Sequence, residues 1–327
     1  MPYWELVTRS FKISWRHKYL WLLALFAGES GGGFNFNSSS TPGTNGRRGT
    51  PDLVAINQQI SQWLSDHIGL IVAASVAFLV IAIAFFILAA VCEGALVRAA
   101  AEHDAERPFG LGLAWRAGTA TMGAMIRFRL LLIALALPLL AVFVALVIGI
   151  VAAIGRQKGG EVAALGVFGF LVVLAAVPYL IVLFLLDRMG TRALVLEQLA
   201  AVASLRRAYT LFTKRLGRLL LVGLLAIGVA IVLSIGVAIV GAIVVIPAAV
   251  LAVAVYASGS SAWWVVVALA VIVLLPILLV VSAFLAAQSS TYWTLAFRRL
   301  EIERPPAYAY TYPPPQIPQP PPGLPTT

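Results

Sequence analysis

Four stretches of this 327-residue chain, 69–92, 130–154, 162–186 and 219–297, contain no Asp, Glu, Lys or Arg. A helix needs about 20 apolar residues to cross the ~30 Å hydrocarbon core of a bilayer, and every one of these runs is long enough. Lipid offers the backbone no hydrogen-bond partners, so only helices and closed barrels span it. No run alternates apolar and polar residues with the period of two that a barrel strand requires. The expected fold class is therefore an all-α integral membrane protein. Composition agrees: 11% of residues are charged, against about 25% in soluble domains.

Hydropathy divides residues 1–303 into a single polytopic membrane domain with six expected spans, at 18–28, 69–92, 130–154, 163–186, 219–245 and 262–288. The first is short for a span. The fifth has the opposite problem, since 219–257 is unbroken apolar sequence of about 58 Å as straight helix, and Pro247 is the expected kink. Lys and Arg set the orientation. Four lie in the N-terminal segment, five in the 93–129 loop, seven in the 187–218 loop and three after 297; the other side holds Arg47, Arg48, Arg156 and Lys158. This asymmetry predicts that both termini are cytoplasmic. The net charge of +10 does not point to nucleic acid, because the bases flank the spans instead of forming one patch. They face lipid headgroups, which are anionic in the cytoplasmic leaflet.

Residues 1–18 read as an interfacial amphipathic helix and not a cleaved signal: Trp4, Val7, Phe11 and Trp15 share one face, and Arg9, Lys12 and Arg16 another. Residues 29–52 are rich in Gly, Ser, Asn and Thr, the composition of a flexible outer loop. A stripe of Leu53, Ile56, Ile60 and Leu64 predicts a second interfacial helix ahead of span two. The segment 304–327 is Pro- and Tyr-rich, which predicts a disordered tail with polyproline II character, able to dock on a protein partner.

The chain also repeats. Glu93-Gly94-Ala95-Leu96-Val97-Arg98 closes span two as Gly190-Thr191-Arg192-Ala193-Leu194-Val195 closes span four, with Ala95 and Ala193 98 positions apart. Pro178 and Pro276 keep that spacing, while Arg116 to Arg207 and Arg127 to Arg218 are each 91 apart. A third, degenerate copy opens the chain around Arg9 to Leu23. Each unit is an Arg-bearing amphipathic helix, an outward helix and an inward helix. Copies separated by an even number of spans lie parallel, unlike the inverted repeats of many transporters.

The segments Arg9-Ser10-Phe11, Trp15-Arg16-His17-Lys18-Tyr19-Leu20-Trp21, Ser204-Leu205-Arg206-Arg207-Ala208-Tyr209, Thr291-Tyr292-Trp293 and Phe297-Arg298-Arg299-Leu300 carry a resemblance. They are similar to bacterial polytopic proteins resembling the membrane domain attached to some glycerophosphoryl diester phosphodiesterases. The soluble catalytic domain of those enzymes has no counterpart here, so the resemblance implies a membrane fold and no activity.

The chemistry-bearing residues are few. Cys92 is the sole cysteine, so neither an internal disulfide nor a thiolate metal site is available. No nucleophile motif or phosphate-binding Gly loop occurs, and no metal or cofactor is expected. Glu102-His103-Asp104-Ala105-Glu106 is the one acidic-His cluster and reads as a solvated loop. Glu93 and Asp187, at the inner ends of spans two and four, read as a gate or as interface ion pairs, with Arg98, Arg188 and Arg192 nearby. Arg9, Lys12, Arg16, Arg116, Arg127, Arg206, Arg207, Lys214, Arg215 and Arg218 are the candidate contacts to anionic lipid headgroups. Ala230, Ser234, Ala238 and Ala242 form a small-residue face, expected to pack inside the chain or to support homo-oligomerisation. The function these residues suggest is a non-enzymatic membrane scaffold or lipid-interacting protein. The alternative is a permease, or transporter subunit, for an apolar or amphiphilic substrate.

Overall fold

The computed structural model describes residues 3–27, 63–65, 67–156, 159–259 and 262–301. The 29–52 loop, most of the 53–64 stripe and the 304–327 tail lie outside the described residues. Eight helices organise the rest: α1 (Tyr3–Arg16), α2 (Tyr19–Ala27), α3 (Ile68–Asp104), α4 (Leu111–Gly155), α5 (Gly159–Leu196), α6 (Ala201–Lys214), α7 (Leu216–Ala257) and α8 (Trp263–Glu301). The chain is an all-α membrane protein. Five helices, α3, α4, α5, α7 and α8, are long and apolar enough to cross a bilayer.

The short first span has a physical account. Helix α2 is nine residues, about 13 Å at 1.5 Å per residue. It sits as a wedge against α3 and α8, with Leu20, Leu23, Ala24 and Ala27 buried. The long helices err in the other direction: α4 has 45 residues, about 68 Å. It runs without a break from its amphipathic start into the span. Copies one and three break there instead, between α1 and α2 and at Arg215 between α6 and α7. Prolines 138, 178, 247 and 276 all lie inside helices that continue through them. Near the first of these, the Tyr179 hydroxyl donates to the Leu135 carbonyl at 2.5 Å, bracing α5 against α4 where Pro138 disturbs the ladder.

Burial is densest at the C-terminal ends of α3, α5 and α8. It covers most of 90–101 on α3, 185–196 on α5 and 286–297 on α8, stretches that overlap one another under the 98-residue shift. These three ends touch one another and form the hub. Beyond it, the most apolar 18-residue windows of α3, α4, α7 and α8 have no residue buried by protein. Lipid must cover them.

Each amphipathic helix packs on the inward helix of the preceding copy: the start of α4 on α3, and α6 on α5. Helix α1 packs on α8, the last helix of copy three, so it closes the three units into a ring. Every seam uses two small buried residues four apart: Ser10 and Ser14, Ala114 and Gly118, Ser204 and Ala208. At Gly118 the approach is so close that a Cβ there would lie 2.2 Å from the Val91 carbonyl oxygen. The seam residues place Arg116 level with Arg206, one position away from the alignment with Arg207 suggested by the 91-residue spacing.

Candidate functional site

The hub and the rim of amphipathic helices around it carry nearly all the charge of the described residues. Two buried links hold the hub. Glu93 is 4% exposed and forms an ion pair with Arg129, which also donates to the Ala27 carbonyl at 3.1 Å. One guanidinium thus ties α2, α3 and α4 and neutralises an acid where the charge-free run of α3 ends. Arg192, fully buried, donates to the Arg188 carbonyl at 3.1 Å and to Ser290 at 3.3 Å. Ser290 is its own repeat equivalent, 98 positions on. The Arg188 guanidinium lies 5.1 Å from the Phe184 ring centre, a cation–π contact. Asp187 is half-buried beside them and also engaged. Glu93 is therefore an interface ion pair, but its partner is Arg129. Arg98 instead pairs with Glu102 at 2.8 Å, one turn along α3.

The Glu102–Glu106 segment is corrected from a solvated loop: α3 stays helical through Asp104. The reason is that both chain ends supply cations. Asp104 accepts from Arg9 at 2.8 Å and from Arg298 at 2.6 Å, joining α1, α3 and α8. His103 stacks on His17 with ring centres 3.6 Å apart, and the Tyr19 hydroxyl sits 2.5 Å from its Nε2. Burial, then the neighbouring His17, lowers His103 to about 4 despite the opposing pull of Glu102. Burial and Arg16 lower His17 as well. Both shifts favour the neutral rings, which stack face to face without like-charge repulsion.

A second bridge closes copy three. Arg207 contacts Glu197 at 3.1 Å and Glu301 at 2.9 Å, repeating in copy three the grip of Arg9 on Asp104. Burial raises Glu197 to about 7, with the nearby Glu301 adding to the rise and Arg207 opposing it. Arg215 donates to the Leu300 carbonyl, satisfying an otherwise open acceptor at the end of α8.

The ten proposed headgroup contacts thus divide. Arg9, Arg207 and Arg215 are engaged with protein partners. Lys12, Arg16, Arg116, Arg127, Arg206, Lys214 and Arg218 are exposed. Three of these recur at one register: Lys12, Arg116 and Arg206 each stand two residues before the second seam residue. Large aromatics accompany them, with Trp15, Trp115 and Tyr209 exposed by 66%, 44% and 56%. The faces of α1 are also reassigned. Leu6, Val7, Ser10, Ile13 and Ser14 point inward, while Trp4 and Trp15 point out with Lys12 and Arg16. On α7, Ala230, Ser234 and Ala238 are exposed and only Ala242 is half-buried, so the small-residue face does not pack inside the chain. No three His, Cys, Asp or Glu side chains among the described residues gather as metal ligands.

Sequence reasoning passed over Arg129, Ser290, Glu197 and Glu301. Only Arg129 carried a signal, as the charge bordering the apolar run that begins at 130. The chain matches, over residues 7–295, a family of unknown function (DUF7544), and it belongs to that family. No curated protein and no solved structure matches it.

Proposed function

We propose that this family member is a lipid-interacting scaffold of the bacterial cytoplasmic membrane. Its hub and both termini lie on the cytoplasmic side, its activity is non-enzymatic, and its rim gathers anionic headgroups. The observation that carries the reading is the recurrence of Lys12, Arg116 and Arg206, exposed and beside exposed aromatics on helices whose other faces are fixed to the hub. Each base near an anionic surface contributes roughly 1 kcal/mol, so three acting together favour anionic over neutral lipid by about 3 kcal/mol, more than a hundred-fold. In proteoliposomes, energy transfer from tryptophan to labelled phosphatidylglycerol is expected to exceed transfer to labelled phosphatidylcholine. The excess should fall with salt and with the K12Q/R116Q/R206Q triple substitution. Equal transfer to both lipids in the wild-type protein sinks the proposal. The 304–327 tail is the expected handle for a protein partner, tested by whether a co-purifying protein is lost when the tail is removed.

A permease for an amphiphilic substrate is the competing reading. The observation in its favour is that the most apolar windows of α3, α4, α7 and α8 have no residue buried by protein, leaving lateral entry from the bilayer open. Accelerated exchange of a labelled lipid between leaflets, above that of protein-free vesicles, would support transport over scaffolding.

A further inference from the structure

A crevice opens between the last turn of α6 and the last turn of α8, lined by Arg207, Lys214, Arg215, Leu300 and Glu301 among others. Three of these side chains are cationic and one is anionic. The carboxylate is already bridged by Arg207 at 2.9 Å, and the Arg215 guanidinium is held at the crevice wall by the Leu300 carbonyl. Lys214 is exposed and makes no ion pair with another described residue. Arg207 also holds Glu197 at 3.1 Å, so the site stays positive even with both carboxylates ionised because Lys214 and Arg215 add to Arg207, and its two guanidinium walls are fixed before any ligand arrives. Its depth is set by the sequence: Arg218 and the charge-free run from Leu219 begin one turn beyond Lys214. That turn places the crevice at headgroup level on the basic side. Copies one and two offer no match, because copy one continues from Arg16 through His17 and Lys18 into α2, and copy two runs straight through α4.

We propose that this crevice is a single phosphate-binding site, which takes the phosphate of an anionic lipid headgroup against Lys214, with Arg207 and Arg215 as its walls. The inference rests on the lipid-interacting reading but locates one discrete site apart from the diffuse contacts of the rim. A phosphomonoester headgroup suits it best, because its extra charge meets clustered donors.

The test uses the full chain in detergent micelles and counts retained lipids by native mass spectrometry, with phosphatidic acid and phosphatidylcholine supplied together. One phosphatidic acid per chain is expected to be retained in preference to the choline lipid. Lys214→Gln should reduce retention roughly ten-fold, as expected for one lost charge-assisted hydrogen bond, and Lys214→Arg should restore it. Unchanged melting temperatures for both variants show that the fold is intact. The K12Q/R116Q/R206Q protein should keep the retained lipid while losing its general preference for anionic bilayers, so failure of the rim and of the crevice are read separately. Inorganic phosphate supplied alone distinguishes the source. If it raises the melting temperature of the wild type but not of Lys214→Gln, and no lipid is retained, the ligand is soluble phosphate. Retention of phosphatidic acid that is indifferent to Lys214, or no response to either phosphate source, overturns the proposal.

Discussion

Replacing Gly118 with alanine adds one methyl group at the tightest helix crossing, and its cost can be worked from distances. The new carbon would stand 2.2 Å from the Val91 carbonyl oxygen and 3.0 Å from the Ala95 Cβ. Carbon and oxygen rest no closer than about 3.3 Å, so α3 and α4 must part by roughly 1 Å along that contact. The struck atom is backbone in a hub helix and cannot rotate aside. Overpacking costs about 1–3 kcal/mol, and this geometry belongs at the upper end. Removing a helical glycine returns about 0.5–1 kcal/mol, leaving a net loss near 2 kcal/mol. Gly123, on the same helix, has nothing within 4 Å of its would-be Cβ, so Gly123→Ala should show only the propensity gain. Thermal unfolding in micelles, followed by far-ultraviolet circular dichroism, should place Gly118→Ala several degrees below the wild type and Gly123→Ala at or above it. Gly190→Ala, which meets the Phe128 ring at 2.4 Å, should fall between them because a ring can tilt. If Gly118→Ala melts with or above the wild type, the seam is not closed as described, and the ring argument built on it fails.

Removing Arg129 strands the buried Glu93 carboxylate, so Arg129→Ala should cost about 3–5 kcal/mol; Glu93→Ala, which leaves only a half-buried guanidinium, should cost less, and a double-mutant cycle should show strong non-additivity. Glu197 is raised in the folded chain, so its contribution is fully present below its ordinary carboxylate range and is lost as pH rises through about 7. Glu197→Gln should flatten that part of the stability profile. His103 works with the opposite sign. It is lowered to about 4, so stability falls as pH drops from its ordinary 6.5 towards 4, and His103→Phe, which keeps a ring on His17, should remove that acid limb. Both profiles are read from melting temperatures in a pH series at constant ionic strength.

The charge-free runs and the 98-residue spacing were legible because both are properties of long segments. Burial over 90–101, 185–196 and 286–297 follows that spacing to within about three residues. The inward faces of α1 and α6 were not legible from hydropathy. Their seams are built from Ser10, Ser14, Ser204 and Ala208, selected for small size, while the large apolar residues Trp4 and Trp15 are left for the lipid side. Hydropathy ranks these residues in the reverse order. The Asp104 region misled for a different reason. Glu102-His103-Asp104 before Pro108 has the composition of a loop, and only the approach of Arg9 and Arg298 from the two chain ends makes a helix terminus of it. The Glu93 partner was hidden likewise, since Arg129 is 36 positions away and comes level with Glu93 only once α3 and α4 fold back on each other.

The three copies are alike where they pack and unlike where they carry charge, and that separation bears on function. Seam residues are small in every copy because close approach demands it. Yet at one repeat-equivalent position the hub holds Gly94, Arg192 and Ser290, and only the arginine brings charge into the centre, donating to its own counterpart Ser290. Copy one spends its amphipathic helix on closing the ring. Its seam is correspondingly the polar one, with Gln288 donating to Ser10 at 3.3 Å and Ser14 to Thr291 at 3.3 Å. Copy two runs straight into its span and offers no corner. Copy three breaks at Arg215, and that break creates the basic crevice beside Glu301. A repeat needed only for anchoring would have no reason to vary at its corners while preserving its seams. The divergence instead sets one distinct basic corner apart from the three bases, Lys12, Arg116 and Arg206, that recur at equal register around the rim.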